Sequence, residues 1–133
     1  LMQGLLTGKF THADQVPEGR ARTRHFAATR PQSRHTEEGA EEETFAAIAK
    51  VSAVCSEVGV PMAQVALAWL LAQPAVTTVI SGMRNADQAR QNAHAAELSL
   101  EPQIVARLSD ATKPVKDKLG ANADMWQTES RIR

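Results

Sequence analysis

Arg84, Gln88 and Asn92 recur at intervals of four, at the opening of a segment that reads as a helix from about Asn85 to Ala96. That spacing puts a guanidinium and two amides on one helical face. They are poor material for a core, but they suit a phosphate and the edge of an adenine. Just upstream, Val76 to Ile80 is nearly continuous in β-branched residues and runs into Ser81-Gly82. This order predicts a buried strand feeding a helix N-terminus, where free backbone N–H groups and the positive dipole end favour an anion. The same residues also fit a solvated helix start with an ordinary cap at Asn85.

The elements that must hold this stretch are legible in the pattern upstream and downstream. Glu41-Glu42-Glu43 places acids in a first helical turn, where they complement the dipole. Phe45, Ile48, Val51, Val54, Cys55 and Val58 then recur at spacings of three and four, an amphipathic helix that Gly59 ends. Pro61 suits the start of a second helix, Met62 to about Gln73, which Pro74 stops. Val65, Leu67, Trp69, Leu70 and Leu71 make it apolar on most sides, so it needs cover on more than one face. After the strand and the helix at 85–96, a further helix is expected at about Glu101–Thr112, opened by Ser99 or by Glu101-Pro102. From Lys113 the tail (113–133) is expected to be irregular. Alternation of helix, strand and helix argues an α/β fold.

Residues 10–38 read as a long basic loop. Pro17, Gly19 and Pro31 interrupt it, apolar periodicity is absent, and Arg20, Arg22, Arg24, Arg30 and Arg34 make it basic. A loop of that length is usually functional or disordered. The expectation is a mobile segment from about Thr11 to Arg34.

Bulk properties exclude several functions. Among 133 residues, 15 Lys and Arg balance 15 Asp and Glu, so no overall field recruits nucleic acid or anionic membrane. No apolar run approaches the roughly 20 residues that span a bilayer, and no signal peptide opens the chain. The single cysteine, Cys55, cannot form an internal disulfide, and its valine neighbours mark a buried thiol. A cytoplasmic protein is the expectation. His12, His25, His35 and His94 stand in no metal-ligand spacing, and His94 falls on a solvated helix face.

Three landmarks carry a resemblance, in order along the chain. They are Leu1-Met2-Gln3-Gly4-Leu5-Leu6-Thr7-Gly8-Lys9, Val65-Ala66-Leu67-Ala68-Trp69-Leu70-Leu71, and Val79-Ile80-Ser81-Gly82-Met83-Arg84-Asn85-Ala86-Asp87-Gln88 through Asn92. Together they resemble the C-terminal part of an aldo-keto reductase, of the bacterial branch related to potassium-channel β subunits. The resemblance implies that residues 1–133 are a fragment of one (β/α)8 barrel domain. The fragment would run from the end of strand seven through helix eight and the tail, with the first part of the barrel missing. Leu1 stands inside a motif, which fits that expectation.

The resemblance also implies an NADPH site. Leu1, Met2, Gln3, Gly4 and Lys9 would border the pyrophosphate, with Arg20 closing over it; Gly4 and Gly8 would let backbone approach the phosphates. Gly82, Arg84, Gln88 and Asn92 match the adenosine-phosphate positions, and Arg84 is expected to read the 2′-phosphate through forked, charge-assisted hydrogen bonds. Gln91 stands where relatives usually have a carboxylate on adenine, and Arg84 where channel-type relatives often carry serine. The family reduces aldehydes and ketones by hydride transfer, with a tyrosine as general acid beside a lysine, an aspartate and a histidine. This chain has no tyrosine, so no catalytic residue is assigned in it. The tail Lys118 to Trp126 resembles a C-terminal loop that roofs the substrate cleft, with Met125 and Trp126 as an apolar wall; packing back on the outer helices is the alternative. Two other functions stay open: a regulatory subunit of the same fold that binds the cofactor, and a ligand-free helical interaction module.

Overall fold

A computed structural model of the chain describes residues 1–122 and 124–126; the end of the tail, 127–133, lies outside the described residues. Four α-helices follow a 3-10 turn at Met2–Thr7 and a shorter one at Ala13–Gln15. They are α1 (Glu41–Val58), α2 (Met62–Leu71), α3 (Ala86–Ala95) and α4 (Pro102–Leu119).

The stripe on α1 behaves as its spacing requires. Ile48, Val51, Val54 and Cys55 are buried, and Gly59 closes the helix in the left-handed conformation at φ 72°. Their main neighbour is α4, whose Ile104, Leu108 and Ala111 join the same core. Trp69 ties α2 to α4, its indole N–H donating to the Val105 carbonyl and to Ser109 Oγ, both at 3.2 Å. The Cys55 thiol is buried, and desolvation pushes its pKa up.

α4 outlasts its expected end at Thr112 by seven residues and carries Pro114 in its interior. Proline removes one helical hydrogen bond and crowds the preceding turn. Here the apolar stripe simply continues: Val115 and Leu119 prolong the row of Ile104, Leu108 and Ala111 and face the space beside α1. Packing on α1 outweighs the local penalty. α2 stops at Leu71, two residues early, because the Gln73 side chain donates to the Trp69 carbonyl at 2.9 Å and takes over a last-turn acceptor.

The expected strands do not form. Among the described residues there is no β-strand: Met2–Thr7 is a 3-10 turn, and Val76–Ile80 is irregular with Ile80 98% exposed. A strand is held by ladder partners for its backbone N–H and C=O groups, and no other described segment offers them.

The basic loop carries more packing than its aperiodic sequence indicates. Residues 10–38 pack as a succession of turns around Phe10, Val16, Ala21 and Phe26, all buried. Two of its arginines find carboxylates, Arg24 at Glu37 and Arg30 at Glu41 in the first turn of α1. Arg30 grips Glu41 with Nε at 2.6 Å and Nη2 at 2.8 Å, reaches Asp14 at 3.2 Å, and lies 5.6 Å above the Phe26 ring. Glu41 also accepts the Ala27 N–H at 3.0 Å. The Arg30 hydrogen bonds hold the Glu41 carboxyl below its ordinary range. Phe26 meets Phe45 of α1 edge-on, with centroids 6.3 Å apart.

Gly39 closes this arrangement at φ +85°, and a Cβ there would overlap the Phe26 carbonyl, its carbon only 2.7 Å away. Gly39→Ala is expected to cost on the order of 3 kcal/mol or more, from left-handed strain and a backbone clash together. Gly59→Ala, at φ +72° with nothing within 4 Å, carries the conformational term alone, about 1–2 kcal/mol. Urea unfolding of the two variants in the full-length protein measures the difference; equal costs would mean the loop is not packed as described.

Candidate functional site

The opening turn is built from three successive left-handed residues, Met2 at φ 51°, Gln3 at 58° and Gly4 at 98°. Thr7 Oγ1 donates to the Gly4 carbonyl at 2.7 Å and pins the turn. A Cβ on Gly4 would lie 3.4 Å from Phe10 Cε2 and 3.6 Å from Arg20 Nη1. The Arg20 guanidinium therefore sits over the open face of Gly4. Its backbone is held by the Pro17 carbonyl, which accepts the Arg20 N–H at 2.8 Å. Lys9 stacks its ammonium on the same Phe10, 5.6 Å from the ring centroid. Gly4 and Lys9 thus both lie at Phe10, and Arg20 reaches the same face of Gly4. Two cations and a glycine backbone at one turn form a surface that an anion fits. Leu1, Met2 and Gln3 are exposed beside it.

The second group lies at the start of α3. Asn85 caps the helix, its Oδ1 accepting the Gln88 N–H at 2.9 Å. Gln88 Oε1 accepts the Arg84 N–H at 2.8 Å, and Asn92 Nδ2 donates to the Gly82 carbonyl at 3.5 Å. The two amides on the shared face thus fold back and hold residues 82–84 against the helix. The ordinary-cap reading of Asn85 is realised, and the amides of Gln88 and Asn92 are engaged with backbone. The Arg84 side chain is exposed, and among the described residues nothing pairs with its guanidinium. Gln91 is exposed as well; Arg90 points to solvent and pairs with Asp87 at 2.7 Å. His94 is exposed beside Glu97. The opening turn and α3 both lean on α2.

A third feature involves Met125 and Trp126, the apolar wall that the resemblance implies for the tail. Met2, Gln3, Leu5, Thr23, His25, Met125 and Trp126 line a cleft of about 130 Å³. The tail therefore lies against the opening turn and the basic loop. Next to it, an apolar cavity of about 350 Å³ runs between α1 and α4, with Leu5, Ile48, Val51, Val115, Leu119 and Met125 among its walls. His25 borders both. Its Nδ1 lies 3.3 Å from Thr23 Oγ1, and burial, followed by the Arg24 charge, lowers its pKa to about 4. The ring is neutral at pH 7. Lone histidines in an aperiodic loop look solvated in a sequence; the opening turn and the tail, which share its cleft, make this one interior. Among the described residues no group of His, Cys, Asp and Glu could hold a metal ion, and no single helix is long and apolar enough to cross a membrane.

These features sit in a chain that belongs to the aldo/keto reductase family, whose sequence profile matches residues 1–113. It is 44% identical over 61 residues to an uncharacterized oxidoreductase, YrpG, of Bacillus subtilis (strain 168), a match covering 46% of this chain and 19% of that protein. It is 31% identical over 112 residues to a putative voltage-gated potassium channel subunit beta of Schizosaccharomyces pombe (strain 972 / ATCC 24843), covering 83% of this chain and 31% of that one. The chain spans less than a third of the length of either curated relative.

The buried histidine makes stability depend on pH. Its folded pKa of about 4 lies below the ordinary 6.5, so between those values the unfolded chain binds a proton that the folded chain refuses. Stability is full above about pH 6.5 and falls as pH drops toward 4. His25→Gln is expected to flatten that limb. Urea midpoints at pH 7 and pH 4.5 for both proteins measure it; an equally steep drop in the variant would place the acid sensitivity elsewhere.

Proposed function

We propose that this chain is the cofactor-phosphate end of an NADPH-dependent aldo-keto reductase that reduces aldehydes and ketones. The observation that carries the reading is the Arg20 guanidinium over Gly4, with Lys9 on the shared Phe10. Leu1, Met2, Gln3 and Gly4 would offer backbone to the pyrophosphate, and Lys9 and Arg20 its counter-charge. Gly82, Arg84, Gln88 and Asn92 would border the adenosine phosphate, and Gln91 the adenine. The residues fit the group: an exposed, unpaired guanidinium at Arg84 stands on a segment that Gln88 and Asn92 hold in place. Bound NADPH would supply the hydride; this chain's part is to bind and orient it.

The chain holds no tyrosine, so the general acid of such an enzyme lies outside it. We read residues 1–133 as the C-terminal part of a (β/α)8 barrel in a cytoplasmic protein, with Val76–Ile80 becoming a strand once its neighbours are present. The exposure of Ile80 and an apolar groove of about 420 Å³ lined by Leu1, Leu6, Val65, Trp69 and Leu70 support a larger body covering this side. The likeness to a putative channel β subunit favours one second reading, in which bound cofactor regulates a partner instead of turning over.

Arg84→Ala in the full-length protein is expected to weaken NADPH binding by about 1.5–3 kcal/mol, the range for a hydrogen bond to a charged group, and to leave NADH almost unchanged. Fluorescence titration with both cofactors measures it; equal losses would remove Arg84 as the reader of the 2′-phosphate. The 133-residue chain by itself is expected to reduce no carbonyl compound. NADPH oxidation by the purified chain would overturn that.

A further inference from the structure

We propose that Arg24 is a positioning residue that latches the C-terminal segment over the cleft beside the opening turn. The side chain is only 4% exposed, yet all its nitrogens are engaged. Nε donates to Glu37 Oε2 at 2.7 Å, and Nη2 to the Leu119 carbonyl at 2.6 Å. Nη1 donates to the carbonyls of Asn122 at 3.0 Å and Asp124 at 3.4 Å. The backbone joins in: the Arg24 N–H donates to the Met125 carbonyl at 2.9 Å, and the Arg24 carbonyl accepts the Ala40 N–H at 3.0 Å.

A buried cation is tolerated only where its charge and its donors are met. Glu37 meets the charge, and three carbonyls of the chain's end meet the remaining donors. One of them, Leu119, is the last residue of α4, so the cation also faces the negative end of that helix. Lysine has neither the fork nor the number of directions to serve this set. If the segment lifted, Arg24 would lose the Asn122, Asp124 and Met125 carbonyls. The loop and the segment are therefore ordered as one unit.

What this positions is specific. Thr23 and His25, on either side of Arg24, line the cleft together with Met2, Gln3, Met125 and Trp126. The same loop carries Arg20 over Gly4. Arg24 thus sets the wall formed by Met125 and Trp126 relative to the turn that would hold the cofactor phosphates. On the reductase reading, which this consequence rests on, that wall meets the apolar part of a carbonyl substrate. The latch itself rests on the hydrogen bonds alone.

Hydrogen exchange on the full-length protein and its Arg24→Ala and Arg24→Lys variants tests it, alongside NADPH titration and steady-state kinetics with an aromatic aldehyde. Arg24→Ala is expected to speed exchange of the amides at 120–122 and 124–126 by about tenfold or more, with α1 and the first half of α4 unchanged. Arg24→Lys should not restore protection, whereas millimolar guanidinium added to Arg24→Ala should restore part of it. KM for the aldehyde should rise severalfold while the NADPH dissociation constant holds. Where Arg24→Ala does not fold, Arg24→Lys and Glu37→Gln carry the exchange test, with the same segment loosening first. Unchanged exchange at 120–126, or a uniform rise through α1 and α4, overturns the latch. A wild-type protein that binds no NADPH overturns the reductase reading and leaves the exchange result to decide the latch.

Discussion

A guanidinium taken out of water has five N–H donors and a charge to satisfy, and the place where Arg24 does so joins parts of the chain that are far apart in sequence. Its partners lie 13 residues away at Glu37 and 95 to 100 residues away at Leu119, Asn122 and Asp124. Arg30 repeats the device on a smaller scale by gripping Glu41 in the first turn of α1. Lys118, reaching Glu38 at 3.0 Å and Glu43 at 3.5 Å, ties the end of α4 to the same acidic stretch. The start of α1 is thus a junction of charges: loop on one side, tail on the other, helix dipole beneath both.

This junction explains which parts of the fold a sequence discloses. α1 was legible because its stripe, its acidic first turn and Gly59 all depend on residues a few positions apart. The Asn85 cap and the Pro102 start of α4 are local in the same sense. The loop was not legible. Arg24 and Arg30 look like solvated charges until Glu37 and Glu41 are brought to them, and Glu41 suits the dipole of α1 whether or not an arginine meets it. The acidic run that follows the basic segment was the available signal, and it names no pairing. The expected end of α4 at Thr112 errs for the opposite reason: the Pro114 penalty is local, while the α1 surface that outweighs it is not. Val76–Ile80 has the composition of a buried strand, but composition supplies no ladder.

The candidate site divides along the same line. Spacing put Arg84, Gln88 and Asn92 on one face, yet two of the three are occupied with the backbone of 82–84. Shared facing tells which side chains are neighbours; it does not tell whether they point outward or brace their own segment. Arg20 and Gly4 are linked in the sequence only through resemblance; the approach of Arg20 Nη1 to the open face of Gly4 gives the link a physical basis. His25, Met125 and Trp126 meet across almost the whole chain and were beyond local reasoning altogether.

The two cationic groups also differ in how prepared they are. Arg20 is half-buried on a packed loop and already lies over Gly4, so little freedom remains for it to lose when an anion arrives. Arg84 is exposed on a short segment at a helix start and keeps its rotamers until something engages it. Groups that are preorganised contribute affinity to every ligand that presents the matching charge, and a pyrophosphate is common to both nicotinamide dinucleotides. A flexible guanidinium returns its ordering cost only when a second phosphate is present to hold it. On the proposed reading, the opening turn with Arg20 sets how tightly a dinucleotide binds, and the α3 start decides which dinucleotide it is. Arg20 is held locally, its N–H donating to the Pro17 carbonyl, whereas Arg24 holds the tail, so the phosphate turn keeps its preparation when the tail loosens and one loop serves the two ends of the chain separately.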